Sequence, residues 1–174
     1  MITFLLIIII GNIVGLAYIY YFNKFQDSSI RINEAEIGIT TILNKKFDLL
    51  NRAINIIKGN TTIKKDILEN IVKLRSRKLN NFEFDKELSD SLTEFFTICD
   101  ENAELQQVES FKKILNSLIN GEEQLTATKK YYNHVAVTYN KMVKLFPSNL
   151  IALIYKYKEK QFHKDETDFT NIEN

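Results

Sequence analysis

The feature of this sequence that most constrains its fold is an apolar repeat between Phe111 and Phe146. Its positions are spaced alternately by four and three residues, a spacing that keeps one side of a helix against its neighbours. The repeat, called the seam below, comprises Phe111, Leu115, Leu118, Glu122, Leu125, Lys129, Tyr132, Ala136, Tyr139, Val143 and Phe146. Since no proline interrupts it, the pattern predicts one helix of about 35 residues, or about 52 Å. A helix of this length needs partner helices of similar length.

The first residues of the chain predict a membrane anchor. Residues 1–23 contain no charged side chain, and Thr3–Phe22 is almost wholly apolar, long enough to cross about 30 Å of hydrocarbon. Aromatic side chains collect toward Phe22, as in the aromatic belt of a membrane interface. The alternative is a cleaved signal peptide, but the segment has neither a basic start nor a small-x-small cleavage site. We therefore expect residues 1–23 to remain in the lipid bilayer as a single-pass transmembrane helix.

Charged residues after the span indicate an orientation. Lys24, Arg31, Lys45 and Lys46 follow it, and the positive-inside rule places such residues on the cytoplasmic side. The single cysteine, Cys99, agrees with a reducing compartment. The sequence thus predicts a protein of the cell (inner) membrane, with its N-terminus outside and the bulk of the chain in the cytoplasm.

Two glycines inside the span raise the question of oligomers. Gly11 and Gly15 form a small-xxx-small pattern, which lets two membrane helices approach closely. This pattern favours a homo-oligomer that forms through the span. The alternative is that both glycines face lipid.

A second helical pattern follows the span. Apolar residues between Ile32 and Ile57 again recur at steps of three and four, as on the buried side of an amphipathic helix. The junction Asn23–Ser29 contains neither glycine nor proline, so the anchor can continue into this helix. Gly59, which follows Lys58 and precedes Asn60, is a typical C-cap and predicts the end of the helix.

Shorter patterns occupy the rest of the chain. A third helix is expected from Thr61 or Thr62 to Asn80, and a fourth pattern covers Leu88–Cys99 before a turn at Asp100–Asn102. Pro147 should end the long helix, because the residue before a proline is driven out of the helical region. The apolar segment Ser148–Tyr157 is expected to form a short helix.

These patterns predict an all-α fold, an antiparallel four-helix bundle of coiled-coil type with long first and last helices. One N-terminal transmembrane helix precedes it. The expected boundaries are an anchor at residues 1–23, a bundle domain at 24–157, and a polar, disordered tail at 158–174.

Composition excludes several classes of function. Lysine and arginine number 23 against 22 acidic residues, with one cysteine and two histidines. Without a basic stripe we expect no nucleic-acid partner, and with so few thiol and imidazole ligands we expect no metal site. No nucleotide-binding loop or catalytic motif is present. We therefore expect no catalytic residues, no cofactor and no enzymatic activity.

Charged residues in the seam suggest paired layers. If the helix that ends near Lys58 lies antiparallel to the seam helix, Lys46 comes near Glu122 and Glu36 near Lys129. Such pairs specify helix order more than they add stability. The alternative is that these long side chains extend out of the seam into solvent.

A repeated dipeptide marks the second half of the seam helix. Tyr132-Asn133 and Tyr139-Asn140 recur one heptad apart. Asparagine beside a seam can form hydrogen bonds across helices, and tyrosine can bury its ring with the hydroxyl at the rim. We interpret the repeat as structural, and a recognition surface is the alternative.

Both long helices resemble those of the LemA family. The first family motif is matched by Ala35, Ile39, Leu43, Lys45, Lys46, Asp48 and Leu49, and the second by Lys129, Tyr132, Asn133, Tyr139, Asn140, Phe146 and Pro147, with Glu122 upstream. The segment Asn149–Ala152 also matches. The resemblance covers residues 1 to about 155. It implies a bacterial, membrane-anchored four-helix bundle whose molecular function is unsettled across the family.

Three turns depart from the family pattern. The family's Gly-Phe after the last apolar segment is Lys156-Tyr157 here, its Tyr-Pro before the long helix is Asn102-Ala103, and its Pro-Asn after the first motif is Asn51-Arg52. These departures leave the fold expectation unchanged.

Two hypotheses for function follow. The first is a non-enzymatic scaffold or adaptor, tethered to the membrane, for an unknown membrane or cytoplasmic protein partner. The second is a regulatory subunit of a membrane protease or another enzyme, because some members of the resembled family lie beside genes for membrane proteases. A variant of the second is an enzyme whose site forms only with a partner.

Overall fold

A computed structural model of the chain describes residues 1–60, 79–101 and 107–163. The secondary structure in these residues is helical, which confirms the all-α class. The helices are α1 (Ile2–Asn60), α2 (Asn81–Glu101), α3 (Glu109–Lys144) and α4 (Ser148–Tyr155). The helix expected between Thr61 and Asn80 lies almost wholly outside the described residues.

Helix α1 joins the candidate anchor to the helical domain without a break. It is 59 residues long and passes through the polar junction after Asn23, as expected of a junction without glycine or proline. By length and composition it is the one helix in the described parts of the chain that could cross a membrane. From Phe25 onward its apolar side is buried at intervals of three and four residues, including Ile32, Ile39, Leu43, Leu50 and Ile57.

Helix α2 begins seven residues before the pattern Leu88–Cys99 that predicted it. The Asn80 side-chain oxygen accepts a hydrogen bond from the Glu83 N–H (3.0 Å), and a Glu83 carboxylate oxygen accepts one from the Asn80 N–H (3.2 Å). This reciprocal arrangement is a capping box, which satisfies two otherwise unpaired N–H groups. It starts the helix at Asn81, so Phe82 and Phe84 are helical.

Helix α3 is the predicted long helix, with a length of 36 residues. Six seam residues are buried, namely Phe111, Leu118, Leu125, Tyr132, Ala136 and Tyr139. The last seam position, Phe146, is instead 78% exposed. It follows the helix end at Lys144, where the approach of Pro147 stops the helical repeat.

The described chain divides into two compact units, which we name by their place in the sequence. The terminal unit contains Met1–Ala35 and Lys130–Asn174, of which residues up to His163 are described, and the central unit contains Glu36–Lys129. Helices α1 and α3 each contribute to both units. The charged residues that were predicted to pair, Lys46, Glu122, Glu36 and Lys129, lie in the central unit. The asparagines of the Tyr-Asn repeat lie in the terminal unit.

Candidate functional site

The predicted contact between Lys46 and Glu122 is present in the central unit. The Lys46 ammonium donates a hydrogen bond to a Glu122 carboxylate oxygen. Lys46 is 3% exposed, whereas the Glu122 side chain is 57% exposed, so a buried ammonium meets a carboxylate that is open to solvent. Gly121 makes room for the lysine stem, because a Cβ there would lie 3.1 Å from Lys46 Cγ.

The second seam lysine has a partner that the sequence did not predict. Lys129 Nζ lies 2.6 Å from a carboxylate oxygen of Asp85 in α2, and both side chains are largely buried. The prediction named Glu36 as the partner of Lys129. It overlooked Asp85 because α2 was expected to begin later. With the capping box at Asn80, Asp85 lies one turn before buried Leu88, on the side of α2 that packs inward.

Asp48, which matches the same family motif as Lys46, lies on the exposed side of α1. It therefore does not share the buried environment of Lys46.

The asparagines of the Tyr-Asn repeat each bind a main-chain segment through two hydrogen bonds. Asn140 donates from Nδ2 to the Lys160 carbonyl (2.9 Å), and its Oδ1 accepts from the Lys160 N–H (2.8 Å). Asn133 makes the same pair of bonds with His163, at 2.8 Å and 2.9 Å. We call these two asparagines, with the main chain of Lys160 and His163, the asparagine clamp. The clamp holds the segment that follows α4 against α3.

The clamp corrects two predictions. The asparagines were expected to form hydrogen bonds across helices, but their partners are main-chain groups of a non-helical segment. Residues 158–163 were assigned to a disordered tail, yet they are held by the clamp. His163 is buried, and its ring packs edge-on against Tyr132 at 4.9 Å between centroids. The rest of the predicted tail, 164–174, lies outside the described residues.

A cluster of aromatic rings lies where the candidate anchor meets the domain. We call it the aromatic collar, and it comprises Tyr18, Phe22, Phe25, Tyr139, Tyr155 and Tyr157. The Tyr155 ring lies 5.2 Å from that of Phe22, and its hydroxyl is 2.5 Å from the Tyr18 hydroxyl. The collar therefore brings together residues from both sides of the predicted boundary at residue 23.

Within the collar, Phe25 is fully buried. Its ring packs against Tyr157 at 4.9 Å and Tyr139 at 5.6 Å. Burial, followed by the nearby Tyr157 phenol, raises the pKa of Tyr139. Tyr139 thus stays neutral in the physiological range and acts here as a packing ring. Tyr157 also accepts a hydrogen bond from the Gln26 side chain (3.0 Å).

Cys99 and His134 are the side chains best suited to reactive chemistry. Cys99 is buried, and desolvation together with the Asp100 carboxylate raises the pKa of its thiol to about 11. His134 is exposed on α3. In the described ranges no three His, Cys, Asp or Glu side chains gather as metal ligands would. The absence of metal and cofactor stays a prediction for the chain as a whole.

The glycines of the span have open surroundings. A Cβ added at Gly11 or Gly15 would meet no atom within 4 Å. Both positions are exposed along the apolar part of α1. Their role in a homo-oligomer stays a prediction, as does the alternative that they face lipid.

The arrangement as a whole suits binding and packing. The lysines and carboxylates fix helices against one another, the asparagine clamp recognises main-chain groups, and the collar joins the anchor to the domain. Sequence reasoning missed Asp85, the partners of the clamp and the collar. A signal existed for Asp85 alone, in the Asn80-x-x-Glu83 spacing of a capping box.

Comparison with known proteins agrees with the resemblance of the two long helices. No curated protein matches this chain. The model of the LemA family matches residues 35–172, a range that includes the seam, the asparagine clamp and α4. The chain is therefore a member of the LemA family.

Proposed function

We propose that this protein is a non-enzymatic adaptor that holds a helical domain at the surface of a membrane. One observation carries the proposal: the unbroken α1 contains both an exposed apolar stretch long enough to span a bilayer and the buried side of the domain. A helix that continues across this junction transmits the position of the membrane directly to the domain. Family membership and the apolar helix both fit membrane association.

The orientation proposed is the one in which the domain is cytoplasmic. Lys24 and Arg31, which follow the span, support it through the positive-inside rule. Fusions at the C-terminus to a reporter active only in the cytoplasm, and to one active only outside it, test the orientation. We expect activity from the cytoplasmic reporter, and activity from the other reporter would reverse the assignment.

The fold proposed for the domain is an antiparallel four-helix bundle. Contacts in the central unit support it, because Gly38 of α1 lies against Thr128 of α3 while Lys46, further along α1, meets Glu122, earlier in α3. Because the residue numbers of the contacts increase along α1 while they decrease along α3, these contacts indicate that the two helices run antiparallel. Long helices joined in this way suit a scaffold.

The surface proposed for the adaptor lies on the outer sides of α1 and α3. Exposed isoleucines outside the span support this assignment, with Ile37 on α1 and Ile119 on α3 each more than half exposed. An apolar side chain in such a position gains free energy when a partner covers it. The partner proposed is a membrane-associated protein.

A photo-crosslinking amino acid placed at Ile37 or Ile119 in cells tests the adaptor hypothesis. We expect a discrete crosslinked protein of constant size from at least one of these sites. The matched control is Arg52, which is also exposed on α1 and should give only background. Equal background from all three sites would contradict an adaptor that uses these surfaces.

A further inference from the structure

The segment Leu145–Tyr155, which contains α4, turns its large apolar side chains outward. Leu145, Phe146, Leu150, Leu153 and Ile154 are all more than half exposed, with Phe146 and Leu153 at 78%. The residues that α4 buries are Ser148, Ile151 and Ala152. An amphipathic helix of a water-soluble domain has the opposite arrangement, with its largest apolar residues against the core.

Contacts with α1 fix the depth of this segment relative to the span. The Tyr155 hydroxyl lies 2.5 Å from that of Tyr18, and its ring contacts Phe22. Both partners belong to the apolar stretch Thr3–Phe22. At 1.5 Å per residue, Tyr18 lies about 6 Å before the end of that stretch. The C-terminal end of α4 is therefore level with the last turns of the span.

We propose that Leu145–Tyr155 is a second membrane-contacting element and that its partner is the lipid bilayer. It lies in the leaflet that holds the C-terminal end of the span, with the side chains of Phe146, Leu150 and Leu153 among the lipids. Interfacial helices bury their apolar side by about 5–10 Å, which agrees with the depth set by Tyr18. The inference rests on the proposed function, because it takes Thr3–Phe22 as the span.

Charge around the segment fits a lipid surface with anionic headgroups. Exposed lysines flank it on both sides, at Lys141 before α4 and at Lys156 and Lys158 after it, whereas Lys144 is paired with Glu159 (3.0 Å). No acidic residue lies between Lys141 and Lys158. Basic residues beside an interfacial apolar segment add electrostatic attraction to anionic lipids.

Two membrane contacts restrict the orientation of the terminal unit more than a single contact does. A span alone leaves the attached residues free to turn about the helix axis, since lipid surrounds the span on every side. A second contact on one side of α1, joined to it by the aromatic collar, selects the side of the terminal unit that faces the bilayer. The segment thus acts as an orienting contact as well as an anchor.

Because the chain has no tryptophan, a single tryptophan reports depth without background. We would place it in the full chain as Leu153→Trp, and reconstitute the protein in phosphatidylcholine vesicles that contain phosphatidylglycerol. Lipids brominated near the headgroup or near the chain ends then quench the fluorescence according to depth. The matched variants are Ile13→Trp, exposed in the middle of the span, and Ile119→Trp, exposed on α3.

We expect Leu153→Trp to be quenched more by the shallow bromines than by the deep ones, with its emission shifted to shorter wavelength. Ile13→Trp should show the reverse order of quenching, and Ile119→Trp should show none. Quenching of Leu153→Trp no greater than that of Ile119→Trp would overturn the inference. A shifted but unquenched emission would also overturn it, because a second copy or another protein would then cover the segment.

The same series separates this inference from the proposed function. If Ile13→Trp is quenched and Leu153→Trp is not, the result supports the membrane span and contradicts the second membrane contact. If Ile13→Trp itself is not quenched, Thr3–Phe22 does not span the bilayer, and both proposals fall together.

Discussion

In the central unit, buried lysines meet the carboxylates of neighbouring helices, whereas in the terminal unit aromatic rings and asparagine side chains make the corresponding contacts. Lys129 pairs with Asp85, and Lys46 with Glu122. In the terminal unit, Asn133 and Asn140 bind main chain, and Phe25 packs between tyrosines. The difference concerns what each contact recognises. An ion pair needs a particular side chain at a particular position, whereas the clamp needs only the N–H and carbonyl of a main-chain segment.

This difference indicates two roles within one chain. Charged pairs that must match specify which helices meet and in which register. Aromatic rings suit the membrane interface proposed for the terminal unit, because tyrosine has an apolar ring and a polar hydroxyl.

The largest effect is expected from the ion pair of the central unit. Asp85→Asn leaves the largely buried Lys129 charge without its carboxylate, and breaking a buried pair costs about 3 kcal/mol. Urea unfolding of a fragment that begins at Lys24, and so keeps buried Phe25, measures the loss. Replacing both Asp85 and Lys129 with leucine should recover much of the stability.

The matched control for that pair is exposed. Glu109 and Lys113 form an ion pair on the surface of α3, with both side chains about three-quarters exposed, and Glu109→Gln should cost less than about 1 kcal/mol. If Asp85→Asn lowers the free energy of unfolding no more than Glu109→Gln does, the buried ion pair contributes no more than a surface pair. The contrast between the central and terminal units would then be contradicted.

The thiol of Cys99 tests how closed the central unit is. Burial raises its pKa from the ordinary value of about 9 to about 11, so near pH 8 the reactive thiolate is about 100-fold scarcer than in an unfolded chain. The rate of alkylation in the folded protein, compared with the rate in urea, measures this ratio. The folded rate should rise with pH up to the raised pKa. Equal rates in the two states would mean that the unit opens readily.

Removal of either clamp asparagine is expected to have an intermediate effect on the free energy of unfolding. Asn133→Ala leaves the main-chain N–H and carbonyl of His163 without their hydrogen bonds, which should cost about 2 kcal/mol. Asn140→Ala should cost less, because its bonds are only partly buried. Trypsin cleavage after Lys158 and Lys160 should accelerate in the same order. Gln161→Ala, in the same segment but outside the clamp, is the control, and equal cleavage of all variants would refute the clamp.

The smallest effect is expected at the end of α4. Lys156 has a left-handed backbone (φ 55°) and is the only non-glycine residue with a positive φ in the described ranges. Glycine adopts this conformation without steric cost, and Lys156→Gly should stabilise the protein by about 1 kcal/mol. Lys158→Gly should bring no gain. The pattern of the resembled family has glycine here, the residue that this conformation favours.

Much of the helical framework could be predicted because it depends on periodicity. The seam of α3 and the buried side of α1 follow from residues at spacings of three and four, and the contact of Lys46 with Glu122 follows from the register of the two helices. The continuous α1 was predictable from a junction without glycine or proline.

The missed contacts have physical reasons of two kinds. Asp85 was missed because a capping box, not the apolar pattern, sets the start of α2. The partners of Asn133 and Asn140 were missed because a peptide group is the same at every residue, so the bound segment has no side-chain signature. The collar joins Tyr18 to Tyr155, and no local pattern in the sequence connects residues so far apart.

The central claim is that α1 carries the span into the domain as one helix. Amide hydrogen exchange of the full chain in lipid nanodiscs, resolved by residue between Tyr18 and Ile32, tests it most directly. Since every amide there would be hydrogen-bonded within the helix, we predict continuous slow exchange through the junction Asn23–Ser29. Fast exchange confined to that junction, with protected residues on both sides, would show a hinge and contradict the account.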